Sequence, residues 1–247
     1  MNKEQQADIL GCQVDLVNLS QVLQDIETFL CTDKEPAQII TVNAEILYEA
    51  SKNRKLKEVI NAAQMVTPDG IGVVWAARQL GYNPQGRVTG IELLEAVCRE
   101  GAKQGWKIFF LGAAPGVAEQ AARELNKRYQ GLKITGTIDG YFAPENEEDI
   151  IAAIKSSSPD ILFVGLGAPR QEYWINDYKE QLQIPVCIGV GGSFDVISGL
   201  KKRAPAFMIR LNLEWLYRLI SEPSRVKRQM ALPKFVLSIF QQKYQQH

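Results

Sequence analysis

The stretch PDILFVGLGAPRQEYWINDYKEQLQIPVCIGVGGSFDVISG, residues 159–199, decides the fold. It opens with a short apolar run that ends in glycines. A helical pattern follows, rich in charge, and then a second apolar run ending Gly-Val-Gly-Gly. Runs this short and this continuously apolar are strands buried on both faces. A strand, a crossover helix and a second strand make the parallel unit of an α/β sheet.

The same alternation extends outward. AQIITVN (37–43) reads as a buried strand, with a helix from Ala44 to about Asn53. AAQMVT gives a short strand before Pro68-Asp69-Gly70 and a helix over about 71–80. A helix capped by Thr89 follows, ended by Gly105. WKIFFLGA (106–113) is a strand, and the next helix is begun by Pro115 and stopped by Gly131. LKITGTIDGYF is a strand leaving into a loop, and ENEEDIIAAIKSSS is a helix with acids in its first turn, where the helix dipole favours them. The expected fold is α/β: a Rossmann-like, mostly parallel sheet with helices on both faces.

The chain of 247 residues carries 28 basic and 28 acidic side chains, and the balance hides an asymmetry. Residues 201–247 hold ten Lys and Arg against Glu214 and Glu222. The preceding body is acidic by the same margin. The division falls near Gly199-Leu200-Lys201, giving a catalytic unit over 1–200 and a basic amphipathic segment over 201–247. In that segment Phe207, Met208, Leu211, Trp215, Leu216, Leu219 and Ile220 fall near helical spacing, with Arg210, Arg218, Arg225 and Arg228 among them. It reads as a core-packing helix with a charged face, or as a segment lying on an anionic bilayer. The acidic body argues against a nucleic-acid partner.

Cys12, Cys31, Cys98 and Cys187 are scattered, and the one His is His247. No zinc site is expected, and buried, reduced thiols are the plain reading. The polar start MNKEQQADIL is no signal peptide, and no apolar run approaches the roughly 20 residues that span a bilayer. A cytoplasmic location is expected.

Ligands of open parallel sheets bind beyond the carboxyl ends of the strands. Those ends read Thr41-Val-Asn43, Pro68-Asp69-Gly70, 112–116, Asp139-Gly-Tyr-Phe142, 165–172 and 189–195. Glycine clusters on three strands favour a nucleotide or diphosphate ligand. There is no G-x-x-x-x-G-K-[ST] and no early G-x-G-x-x-G, which argues against a P-loop ATPase and against a nucleotide-sugar dehydrogenase or epimerase. Nor is there an Asp-x-Asp pair to hold a metal on a nucleotide diphosphate. With no His in the folded region, a general base must be an Asp, a Glu or something less usual, and the candidates at strand ends are Asp69, Asp139, Glu172 and Asp195. Two of them have a plainer reading. Asp69 and Asp195 could cap the helices that follow, as Asn43 could cap the helix from Ala44, and Thr41 could be only a β-branched strand residue.

Several stretches together resemble the WecG/TagA/CpsF glycosyltransferase family, over about residues 10 to 230. They are TVNAE, TPDGIGVVWAAR, GRVTGIEL, FFLGAAPGVAEQA, DGYF, ILFVGLGAPRQEYW and GVGGSFDVISG, followed by RAPAFMIRLNLEWLYRLISEPSR. The resemblance implies inverting transfer of N-acetylmannosamine from a UDP donor to the 4-hydroxyl of N-acetylglucosamine on undecaprenyl diphosphate, in wall teichoic acid synthesis. Other donors in the family are UDP-N-acetylmannosaminuronic acid and UDP-glucose. It implies Asp69 as base, with Thr41, Asn43 and Arg87 on the acceptor side and Gln171 in the Pro-Arg-Gln-Glu position. Arg218, Arg225 and Arg228 would hold phosphate. Gly112, Tyr141, Gln171, Gly192 and Asp195 are the expected donor contacts. No cofactor and no metal are implied. The partners are the UDP-sugar, the lipid-linked acceptor and the inner face of the cell membrane, and the sequence leaves room for a homo-oligomer. A membrane-surface scaffold is the non-enzyme alternative.

Overall fold

A computed structural model describes residues 6–32, 35–211, 213–221 and 230–245. Six strands form one parallel sheet: β3 (Ala37–Val42), β4 (Met65–Pro68), β5 (Lys107–Gly112), β6 (Lys133–Ile138), β7 (Ile161–Gly165) and β8 (Val186–Gly189). Their order across the sheet is β4-β3-β8-β7-β5-β6, and every pairing is parallel. The expected α/β fold is therefore present, with all carboxyl ends on one edge.

Alternation along the strands divides the core. Ile108 and Phe110 of β5, with Ile161 and Phe163 of β7, face one cluster that contains helices α1 (Leu19–Cys31), α5 (Gly90–Gln104), α6 (Val117–Arg128) and the short α9 (Ser193–Ile197). Phe109, Leu111, Leu162 and Val164 face the opposite side, under α7 (Glu147–Ser156) and α8 (Arg170–Leu182). On that same side of the β3–β4 end, Ile40, Val42 and Val66 meet α2 (Ala44–Ala50), α3 (Arg54–Ala62) and α4 (Ile71–Gln79). A period of two with both faces apolar is the signature of a covered parallel sheet.

The helices begin where local chemistry satisfies their free N–H groups. Asn43, Asn53 and Thr89 cap α2, α3 and α5 by accepting from the main chain three residues on. One helix was expected from Ala44 to Asn53. It breaks after Ala50 because Asn53 starts a new one. Pro115 does not begin α6, whose N-cap is Gly116 in the left-handed region. An antiparallel hairpin of β1 (Gln6–Ile9) and β2 (Cys12–Asp15), with α1 and α3, adds to the elements expected from sequence. Buried Asp15 ties the hairpin to the sheet by accepting from Val66 N at 2.7 Å and from Gln6 Nε2 at 2.9 Å.

Cys12, Cys98 and Cys187 are buried, and burial pushes the Cys12 thiol up to about 11. Cys31, expected to be buried with them, is exposed at the end of α1.

The C-terminal segment contains α10 (Ala206–Arg210), α11 (Glu214–Ser221) and α12 (Ala231–Gln245). No helix of the described residues is long and apolar enough to cross a membrane. α12 packs on the body: Phe235 and Ile239 lie in the cluster with α2 and α4, and Phe240 meets Trp75 edge to face at 5.8 Å. Gln242 donates to the Asp8 carbonyl and accepts from Leu10 N, each at 2.9 Å. Phe235 is fully buried, so Phe235→Ala should cost about 3–5 kcal/mol of stability in urea unfolding. A smaller change would mean that α12 contributes little to the fold.

Candidate active site

A cleft of about 1020 Å³ opens at the carboxyl ends of β3, β4 and β8. Three loops build one side. Thr41 is near the end of β3 and Asn43 just beyond it, Asp69 follows β4, and Val190, Gly191, Gly192 and Ser193 follow β8. Gly167, Ala168 and Pro169 enter from the β7–α8 connection, and Gln171 from the first turn of α8. From the C-terminal segment come Lys201, Lys202, Arg203, Glu214 and Tyr217.

The Asp69 turn is fixed by main-chain bonds. Asp69 N donates to Val42 O at 2.8 Å, and Val88 N donates to Pro68 O at 2.9 Å. The cap of α4 is Gly70, at φ +88°, with no side-chain hydrogen bond. Asp69 therefore stands one residue outside the cap position expected for it. A residue other than glycine is disfavoured at that φ, so Gly70 turns the chain and Asp69 is set at the mouth of the strand.

Asn43 does act as a cap: its Oδ1 accepts from Ile46 N at 3.0 Å. Its side chain also lines the cleft, and the amide nitrogen is not the atom that caps. Thr41 Oγ1 lies 3.4 Å from Gly189 O, which it reaches as donor. Gly90 at the start of α5 lies beside Thr41 and the Val190 main chain, at ordinary contact distance. A Cβ there would be 3.4 Å from Thr41 Oγ1.

Four expected ligand contacts lie outside the cleft lining: Arg87, Gly112, Tyr141 and Asp195. Arg87 is adjacent, paired with Glu92 at 3.8 Å, and the same Glu92 oxygen holds Arg203 at 2.9 Å. Gly112, at φ +134°, packs against β7. A Cβ on it would fall 2.5 Å from the Gly165 main chain, so glycine is required there whatever binds. Tyr141 is exposed beyond β6, where Tyr141 N donates to Asp139 Oδ1 at 2.9 Å. Asp195, expected as a cap, leaves that position to Gly192 and instead pairs with Lys201 at 3.0 Å. Arg218 lies in α11, while Arg225 and Arg228 fall outside the described residues.

Glu172 is not an accessible base. It is 1% exposed, and burial pushes its carboxyl up to about 7, against the opposing pull of the Gln171 hydrogen bond. The cations that line the cleft among the described residues are Lys52, Lys201, Lys202 and Arg203. Of these, Lys201, Lys202 and Arg203 belong to the charge change at residue 200, the signal that could have singled them out.

The chain matches the profile of the glycosyl transferase WecG/TagA/CpsF family over residues 7–247. It belongs to that family. Curated relatives include an N-acetylglucosaminyldiphosphoundecaprenol N-acetyl-beta-D-mannosaminyltransferase of Bacillus spizizenii, 36% identical over 92% of this chain and 88% of the relative. Proteins of the same name from Bacillus subtilis and Staphylococcus aureus are 38% and 36% identical, over 91% and 94% of this chain and 87% and 91% of their own. The family's glycosyltransferase chemistry thus meets a chain whose strand-end loops share one large cleft.

The raised Glu172 carboxyl has a consequence for stability. The unfolded chain releases this proton near the ordinary carboxylate pKa, while the folded state holds it up to about 7. Between those values the folded state binds more protons, so its stability falls as pH rises. Glu172→Gln removes the titration. Its urea midpoint relative to the parent should climb between about pH 5 and pH 8, and a pH-independent difference would contradict the assignment.

Proposed function

We propose that this chain transfers N-acetylmannosamine from UDP to the 4-hydroxyl of N-acetylglucosamine on undecaprenyl diphosphate, forming a β-1,4 linkage. The names of its relatives give the sugar transferred and the lipid-linked acceptor, and we place the reaction in teichoic acid linkage-unit synthesis. The observation that carries the mechanism is the convergence of Asp69, Thr41 and Asn43 with Lys201, Lys202 and Arg203 on one cleft.

The chemistry is a single displacement. The Asp69 carboxylate takes the proton of the acceptor 4-hydroxyl as its oxygen attacks the anomeric carbon. The bond from that carbon to the donor phosphate oxygen breaks, and UDP leaves with the electron pair. Attack from the face opposite the leaving group inverts the configuration. One carboxylate is enough, because the diphosphate leaves without the general acid that glycoside hydrolysis requires and no nucleophilic carboxylate takes part in a single displacement. Thr41 and the Asn43 amide nitrogen orient the acceptor sugar, with Arg87 beside them. Gly112, Tyr141, Gln171, Gly192 and Asp195 remain the proposed donor-side residues, of which Gln171 and Gly192 line the cleft. Charge developing on the departing diphosphate is met by Lys201, Lys202 and Arg203, with Arg218, Arg225 and Arg228 as further phosphate ligands.

The lipid acceptor requires the enzyme to work at the inner membrane surface. Supporting this, Leu200, Phe207, Leu211 and Ile220 each expose more than 60% of their area in a segment rich in Lys and Arg. Apolar side chains interleaved with cations suit an anionic bilayer surface.

Asp69→Asn should lower transfer from UDP-N-acetylmannosamine to a short-chain lipid acceptor by about 100-fold or more, with UDP affinity nearly unchanged. Near-normal turnover would remove Asp69 from the role of base. Replacing Phe207, Leu211 and Ile220 together with serine should weaken co-sedimentation with phosphatidylglycerol vesicles by about tenfold, leaving the unfolding midpoint in place. Undiminished co-sedimentation would exclude this face from membrane contact.

A further inference from the structure

A buried polar chain backs the cleft, and the displacement chemistry does not use it. Gln38 Nε2, on β3, donates to the Glu172 main-chain carbonyl at 3.0 Å. Gln171 Nε2 donates to Glu172 Oε1 at 2.8 Å. Gly191 N donates to Gln171 Oε1 at 2.9 Å. All three side chains are buried. Gly189 leaves room for the chain, since a Cβ there would lie 2.7 Å from Gln171 Nε2.

The direction of these bonds is constrained. A glutamine amide has one accepting end and one donating end, and the two can be exchanged by rotation about the last torsion. Gly191 N–H needs an acceptor, so the Gln171 oxygen must face the glycine loop. Its nitrogen then faces inward and needs an acceptor in turn, which Glu172 Oε1 supplies. Gly191 N–H thus fixes which end of the amide faces the loop, and Glu172 Oε1 satisfies the nitrogen that this turns inward. A buried carboxyl costs stability, and Glu172 makes no ion pair among the described residues. Glu172 Oε2 and Gln38 Oε1 are buried with no hydrogen-bond partner among the described residues, so the order in this network comes from the bonds that are made, which tie α8 to β3 and to the loop after β8.

We propose that Glu172 is a positioning residue for the transfer reaction: it sets the Gln171 amide, and through Gly191 it holds the loop after β8 at the donor side of the cleft. The role rests on the glycosyl-transfer reading of that cleft. Glu172 itself touches no substrate. Gln171 is the intermediary, so its contribution to donor binding depends on the residue behind it.

The test uses the full chain labelled with 15N-glycine, UDP as binding probe, and transfer to a short-chain lipid acceptor. Glu172→Gln keeps an accepting oxygen and should hold the donor KM within about threefold. Glu172→Ala removes it and should raise the donor KM roughly tenfold or more, with the acceptor KM within about twofold. The Gly191 amide should exchange with solvent at least about tenfold faster in that variant, while Gly101 and Gly165 keep their rates. Gly189→Ala presses a methyl onto the Gln171 amide and should reproduce the same pattern, so the proposal stays testable if Glu172→Ala does not fold. Unchanged Gly191 exchange and donor KM in these variants would overturn it, as would a Glu172→Gln enzyme as impaired as Glu172→Ala. UDP binding and amide exchange are read without turnover. A parent protein that binds no UDP fails the proposed function, whereas an unmoved Gly191 amide fails this inference alone.

Discussion

Everything at the cleft depends on the pairing of β3 with β8. The sheet order places β4 and β3 on one side and β7, β5 and β6 on the other, with β8 between them. The register sets Ala37 opposite Val186 and Ile39 opposite Ile188. That short ladder joins the half of the sheet that ends in Thr41, Asn43 and Asp69 to the half that ends in the glycine loop. A shift of its register would separate the carboxylate from the loop without changing a residue in either. The contacts beside it are built to prevent such a shift: Thr41 Oγ1 reaches Gly189 O, and Gln38 Nε2 reaches the Glu172 carbonyl.

Glycine serves two separate purposes at these strand ends. Gly112, Gly140 and Gly165 are small because neighbouring chain occupies the space a Cβ would take, main chain at Gly112 and the Leu166 and Phe194 side chains at the other two. Gly70 and Gly191 have open space around the missing Cβ and positive φ, so there the backbone conformation is the requirement. The first group packs the sheet, and the second shapes the turns that line or border the cleft. A glycine cluster read in sequence does not distinguish them, because both kinds look like a loop that admits a ligand.

The parallel sheet was legible because its strands, such as residues 161–165, are apolar at every position, and the helices between them carry caps and periodicity. The position of Asp69 beyond a strand was legible for the same reason. The hairpin of residues 6–15 alternates correctly, with Ala7, Ile9, Cys12 and Val14 buried, but its strands are four residues long and give little periodicity to read. Helix α12 is not evident in sequence because its buried residues, Phe235 and Ile239, find their partners on α2 and α4, more than 150 positions earlier. The burial of Glu172 could not be read either. Next to Gln171 in a strand-end motif it looks like a ligand carboxylate, and only the packing of α8 against β3 and β8 places it inside.

Helix α12 also changes what the C-terminal segment is in polymer terms. Ala204 is buried on one side of it and Phe235 and Ile239 on the other, so the intervening span is a closed loop and not a free end. Chain length alone bounds how far any side chain in that span can lie from the cleft. Much of the entropic cost of bringing it near is carried by the docking of α12, not by the ligand. In the proposed mechanism the cations and aromatics of this span would then act on the cleft at a raised effective concentration, as groups tethered at two points do. Undocking α12 would dilute them without altering a single residue that meets substrate.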